Sequence, residues 1–193
     1  MKKKRIRFVL ALYWSTLLAG FLYIFLHEFG HVIVIFSTGA RLTEFSILNA
    51  HVSHMGGNWT DCSSLWMNAN GAFFPLLFSY VFLLCYKSTV KNLFYRVFAL
   101  IMGIIPSCAL IAWVYLPFKY MNGTAPFGDD VTKFLDIFCQ NHSPLLVSAA
   151  AVLLILMTVF LILKKKVLHN FIEAIKNVRR KPENEADPEQ GNP

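Results

Sequence analysis

Hydrophobic positions in this chain run in long unbroken stretches rather than in narrow stripes. Residues 8–26, 62–86, 97–118 and 144–163 contain no Asp, Glu, Lys or Arg, and these runs are 19 to 25 residues long. An α-helix rises 1.5 Å per residue and a bilayer hydrocarbon core is about 30 Å thick, so each run is long enough to cross. The first run continues beyond its charge-free part, because nothing breaks the helical pattern until Thr38-Gly39. The spacing therefore predicts a first helix over residues 7–37, about 46 Å long, which must tilt or protrude. It is longer than a usual signal-peptide core and reads as a retained anchor.

Between the spans the pattern changes. Residues 42–52 mix Phe45, Ile47 and Leu48 with polar neighbours, and Gly56-Gly57 follows. This predicts a short β-hairpin or a re-entrant segment. The fold class expected is an all-α polytopic membrane protein with about four transmembrane helices and that hairpin or re-entrant piece after the first. The second run carries an amide patch, Asn68-Ala69-Asn70-Gly71, which can cap a helix start or face a site. Gly128-Asp129-Asp130 leads into a pattern with Val131, Phe134, Leu135 and Phe138 as apolar positions, a short helix capped by Asp129 with Asp130 in its first turn. Residues 167–178 suit an amphipathic surface helix. The organisation expected is a membrane-embedded domain over 1–175 and a disordered cytoplasmic tail over 176–193, polar and rich in Pro, Glu and Asn.

Charge refines the picture. The net charge is +7, and fifteen of the eighteen Lys and Arg fall before the first run, between the second and third, or after the fourth. Arg41, Lys119 and Lys133 alone lie on the other side. That asymmetry is the positive-inside pattern, so both termini are expected in the cytoplasm and the partner of the basic residues is the lipid bilayer, with no nucleic acid. Cys62, Cys85, Cys108 and Cys139 show no paired metal-ligand spacing.

The candidate chemistry sits inside the first helix. His27, Glu28, Phe29, Gly30 and His31 complete an H-E-x-x-H motif. Positions i and i+4 of a helix share a face, so both imidazoles can reach one metal ion while Glu28 holds a water as general base. Two His and a Glu in a lipid-buried turn cost several kcal/mol unless paired or metal-bound. A catalytic zinc site needs a third protein ligand, and Asp129, Asp130, His51, His54 and His142 are the choices on offer. A carboxylate would offset the cation's charge in a poor dielectric, although the two aspartates also serve simply as helix caps. Gly30 permits close approach of another helix or a substrate backbone.

HEFGH in the first span, the turn Thr38-Gly39-Ala40-Arg41, the Asn-Gly-Ala-Phe-Phe-Pro patch and the later Gly-Asp-Asp-Val together resemble the site-2-protease class of intramembrane zinc metalloproteases, in its compact bacterial-type members. The resemblance covers residues 26–135. It implies a zinc-dependent endopeptidase acting on membrane protein substrates, with Zn2+ held by His27 and His31, and Glu28 as catalytic base. The family's third ligand is an aspartate in Leu-Asp-Gly, which this chain lacks; its nearest match is Asp130, with Asp129 as the alternative. Asn68, Asn70 and Gly71 loosely match residues that position substrate or steady the oxyanion. The family usually places zinc toward the cytoplasmic third of the bilayer, whereas here Trp14 to His27 spans about 20 Å outward, past the midplane. The alternative function is a catalytically inactive metalloprotease-like scaffold or a small transporter.

Overall fold

The computed structural model describes residues 2–179. The chain forms α1 (Lys2–Ser37), the strands β1 (Arg41–Ser46) and β2 (His51–Met55), then α2 (Asp61–Cys85), α3 (Leu93–Met121), α4 (Asp130–Phe138), α5 (Pro144–Lys164) and α6 (Val167–Arg179). Among the described residues four helices, α1, α2, α3 and α5, are long and apolar enough to cross a membrane. The fold is therefore mostly helical with one short antiparallel hairpin directly after the first helix. Helix α1 begins five residues earlier than the expected position 7, because the basic residues 2–5 are good helix formers and no cap intervenes. Helix α6 runs to Arg179, so residues 176–179 of the expected tail are helical; residues 180–193 lie outside the described residues.

Element ends follow local chemistry. Gly39, at φ +73°, lets the amides of Gly39 and Ala40 fold back onto the carbonyls of Phe36 and Ile35 and close α1. Thr60 and Ser63 form a capping box at α2, Asn92 caps α3, Asp129 caps α4, and Ser143 precedes Pro144 at the first position of α5. The hairpin pairs Arg41 with Met55 and Ser46 with His51, with an irregularity between Leu42 and Glu44.

Helix α1 packs on α2 and α3, α5 lies against α3, and α4 tucks onto α2 and α3. Where lipid would offer no hydrogen bonds, polar side chains join the helices. Pro106 has no N–H to give the Met102 carbonyl, and the buried Ser79 of α2 donates to that carbonyl instead at 2.8 Å. Ser107 meets Thr158 at 2.9 Å and Ser148 donates to Val114 at 2.8 Å, tying α5 to α3. At one end of the bundle α6 docks through Arg96–Glu173 (2.8 Å) and through Asn170, which donates to the Tyr86 hydroxyl and the Ser88 carbonyl. At the other end Val131 and Leu135 bury against Leu116 and Val147. That second cluster anchors α4 against α3 and α5.

Candidate metal centre

Three elements converge on the HEFGH turn. His27 and His31 are one turn apart on α1, and their Nε2 atoms are 3.2 Å apart. Asp130, the first residue of α4, places Oδ2 3.3 Å from His27 Nε2 and 3.4 Å from His31 Nε2. The three ligand atoms thus outline a nearly equilateral triangle. Tetrahedral coordination with bonds of about 2.0–2.1 Å requires ligand atoms about 3.3–3.4 Å apart, whereas octahedral coordination at the same bond length requires about 2.9 Å. The cluster can chelate a divalent metal.

The hydrogen bonds around the triangle agree with that use. His31 Nδ1 lies 2.7 Å from the Met67 carbonyl of α2, and a carbonyl can only accept, so Nδ1 carries the hydrogen. In the neutral ring the Nε2 lone pair then faces Asp130, another acceptor. His27 Nδ1 is buried without a partner, so that ring is held from its Nε2 side. A ring N–H or a bound divalent cation satisfies contacts this close. Burial works against charge on Asp130, but its contacts with His27 and His31 outweigh burial and keep its carboxyl well below the usual carboxylate range. It enters the site as an anion.

Two glycines make room for this geometry. A Cβ on Gly30 would come within 2.5 Å of the Asn70 carbonyl oxygen, and one on Gly71 within 2.6 Å of His31 Nε2 and 2.8 Å of His27 Nε2. The backbones of α1 and α2 therefore cross at bare contact, with both imidazoles lying directly over Gly71. Asn70 locks the crossing: it is buried, and its Nδ2 donates to the Gly30 carbonyl at 2.6 Å.

The other expected residues separate into neighbours and bystanders. Glu28 is 3% exposed and lines a cavity of about 570 Å3 together with His27, His31, Asp130 and Asn68. Asn68 donates to the Ser64 carbonyl at 2.9 Å, which leaves its amide at the cavity wall. Asp129 is occupied as a cap, accepting from the Thr132 amide at 3.1 Å and hydroxyl at 2.6 Å. His51 and His54 line the cavity but stand outside the triangle: His51 hydrogen-bonds with Ser53 (2.7 Å), and His54 lies tilted against Trp59 (4.6 Å between ring centroids). His142 packs on Phe138 away from the centre. The Met67 carbonyl and Lys133, which also lines the cavity, were not among the expected residues. Only the second left a signal, standing one turn after Asp130 on α4.

The cysteines are unpaired, Cys62 and Cys139 included. No family model, no curated protein and no solved structure matches this chain.

Proposed function

We propose that the protein is a zinc-dependent intramembrane endopeptidase of the site-2-protease kind, hydrolysing peptide bonds in or near the membrane-spanning segments of protein substrates. The observation that carries this reading is the 3.2–3.4 Å triangle of His27, His31 and Asp130 beside a buried Glu28, all facing one cavity walled by the apolar helices α1 and α2, strand β2 and α4. His27, His31 and Asp130 would hold zinc with two imidazoles and one carboxylate, the three-protein-ligand set that leaves catalytic zinc sites room for water. Asn68, Asn70 and Gly71 divide the supporting roles: Asn68 offers its amide to substrate, while Asn70 and Gly71 position the imidazoles through the helix crossing.

When bound, zinc supplies Lewis-acid chemistry, polarising the scissile carbonyl and lowering the pKa of a water. Glu28 takes a proton from the attacking water as the water oxygen bonds to the carbonyl carbon. It then delivers that proton to the amide nitrogen as the C–N bond breaks. A substrate helix must unwind to expose its peptide bond. Strand β2 contributes His51, Val52 and His54 to the cavity wall and pairs on one side with β1, so its other edge suits an extended segment of substrate. The distribution of Lys and Arg supports cytoplasmic termini, which puts the centre toward the outer half of the bilayer.

The test is cleavage of a single-span substrate by the purified full chain and by Glu28→Gln. Loss of a general base lowers the rate about 10²- to 10⁴-fold while the three ligands still hold metal. Equal cleavage by both proteins, or none by the metal-loaded wild type across a panel of single-span substrates, overturns the reading.

A further inference from the structure

At the end of the bundle opposite the metal cluster, three separate elements bring basic side chains to one concavity. Lys4 and Arg7 of α1, Lys91 just before α3, and Arg96 of α3 line a cavity of about 240 Å3 whose remaining wall includes Ala174 and Asn177 of α6. Arg96 is committed: it is buried, its Nε donates to the Val90 carbonyl at 2.9 Å, and its Nη1 pairs with Glu173 at 2.8 Å. Lys4, Arg7 and Lys91 have no acidic partner among the described residues. Three like charges around one small cavity repel each other unless an anion joins them.

We infer that this cavity binds the phosphate of an anionic phospholipid headgroup. The cations converge from α1 and from the turn before α3, with α6 on the far side, so the basic side chains share one open concavity. Its first α3 residue, Leu93, belongs to the turn where Asn92 satisfies the amides of Tyr95 and Arg96, which leaves the amides of Leu93 and Phe94 as further donors. Lipid is favoured over free phosphate by what lies next to it. One and two turns beyond Arg7, Leu10 and Trp14 are 50% and 58% exposed, an apolar path for acyl chains directly below the cations. Arg7 and His27 are twenty residues apart on α1, about 30 Å, so this site is independent of the metal centre.

The experiment uses the full chain in neutral detergent, with thermal unfolding and native mass spectrometry as readouts. Short-chain phosphatidylglycerol raises the unfolding midpoint and stays bound, whereas phosphatidylcholine and millimolar inorganic phosphate do neither. Arg7→Gln with Lys91→Gln leaves the midpoint in phosphatidylcholine unchanged and weakens phosphatidylglycerol binding about thirtyfold, and Lys4→Gln weakens it about fivefold. Equal binding of the two lipids, full stabilisation by inorganic phosphate, or undiminished binding by both variants overturns the inference. So does a chain ending at residue 182 that binds phosphatidylglycerol when the full chain does not, because the acidic residues Glu183, Glu185, Asp187 and Glu189 would then be the occupant.

Discussion

Adding one methyl group at Gly71 separates metal binding from folding. The new Cβ would lie 2.6 Å from His31 Nε2 and 2.7–2.8 Å from the Cε1 and Nε2 atoms of His27, against the 3.4 Å at which ordinary contact begins. The atoms in the way are the tips of two side chains, so the backbone of α2 need not move; the imidazoles must retreat by about 0.6–0.8 Å. Metal–ligand distances tolerate about 0.2 Å, so the displacement is several times what the centre can absorb. Gly71→Ala is expected to lower divalent-metal affinity about 10- to 100-fold, the range seen when ligands lose their orientation. The thermal unfolding midpoint of the metal-free protein should hold or rise slightly, since Ala is the better helix former. Competition against a chromogenic chelator in detergent gives the affinity. Gly20→Ala is the control, because a Cβ there meets nothing within 4 Å. Gly71→Ala binding within twofold of the wild type would refute the close packing of both imidazoles over α2.

Three further outcomes follow from the same geometry. Asp130→Asn should abolish stoichiometric metal binding, whereas Asp129→Asn, which keeps a capping side chain, should leave metal content near wild type, both read by elemental analysis. Gly30→Ala drives a Cβ to 2.5 Å from a backbone oxygen that cannot swing away, so it should destabilise the α1–α2 crossing by about 1–3 kcal/mol in unfolding experiments. Acid should weaken metal binding, because imidazole ligates only as the neutral ring and protons compete with the metal for it; the chelator competition repeated over a pH series reads the effect.

The four spans were legible because lipid demands continuous apolar runs, and a charge-free stretch is visible without any partner. Their ends were less so. Helix α3 starts at Leu93, four residues before the charge-free run, because Arg96 is buried by pairing with Glu173 seventy-seven positions away. His27 and His31 could be matched from their spacing, since i and i+4 meet on any helix. The choice between Asp129 and Asp130 could not, as both suit a helix start. It is decided by φ and ψ at the cap, which turn Asp129 back onto Thr132 and leave Asp130 facing the imidazoles. Asn70 was legible as polar and intramembrane, but its partner is a backbone carbonyl, exposed only because position 30 is glycine. The Met67 carbonyl that orients His31 carries no side-chain signature at all.

Metal stoichiometry tests most directly whether His27 and His31 of the first membrane helix and Asp130 of α4 form one metal site. The full chain, purified in detergent without chelator, loaded with zinc and freed of excess, should carry one zinc per chain by elemental mass spectrometry. His27→Ala, His31→Ala and Asp130→Ala should each carry a small fraction of that, while His51→Ala, His54→Ala and His142→Ala keep it. A wild-type chain without zinc, or zinc retained through all three ligand substitutions, would contradict the account.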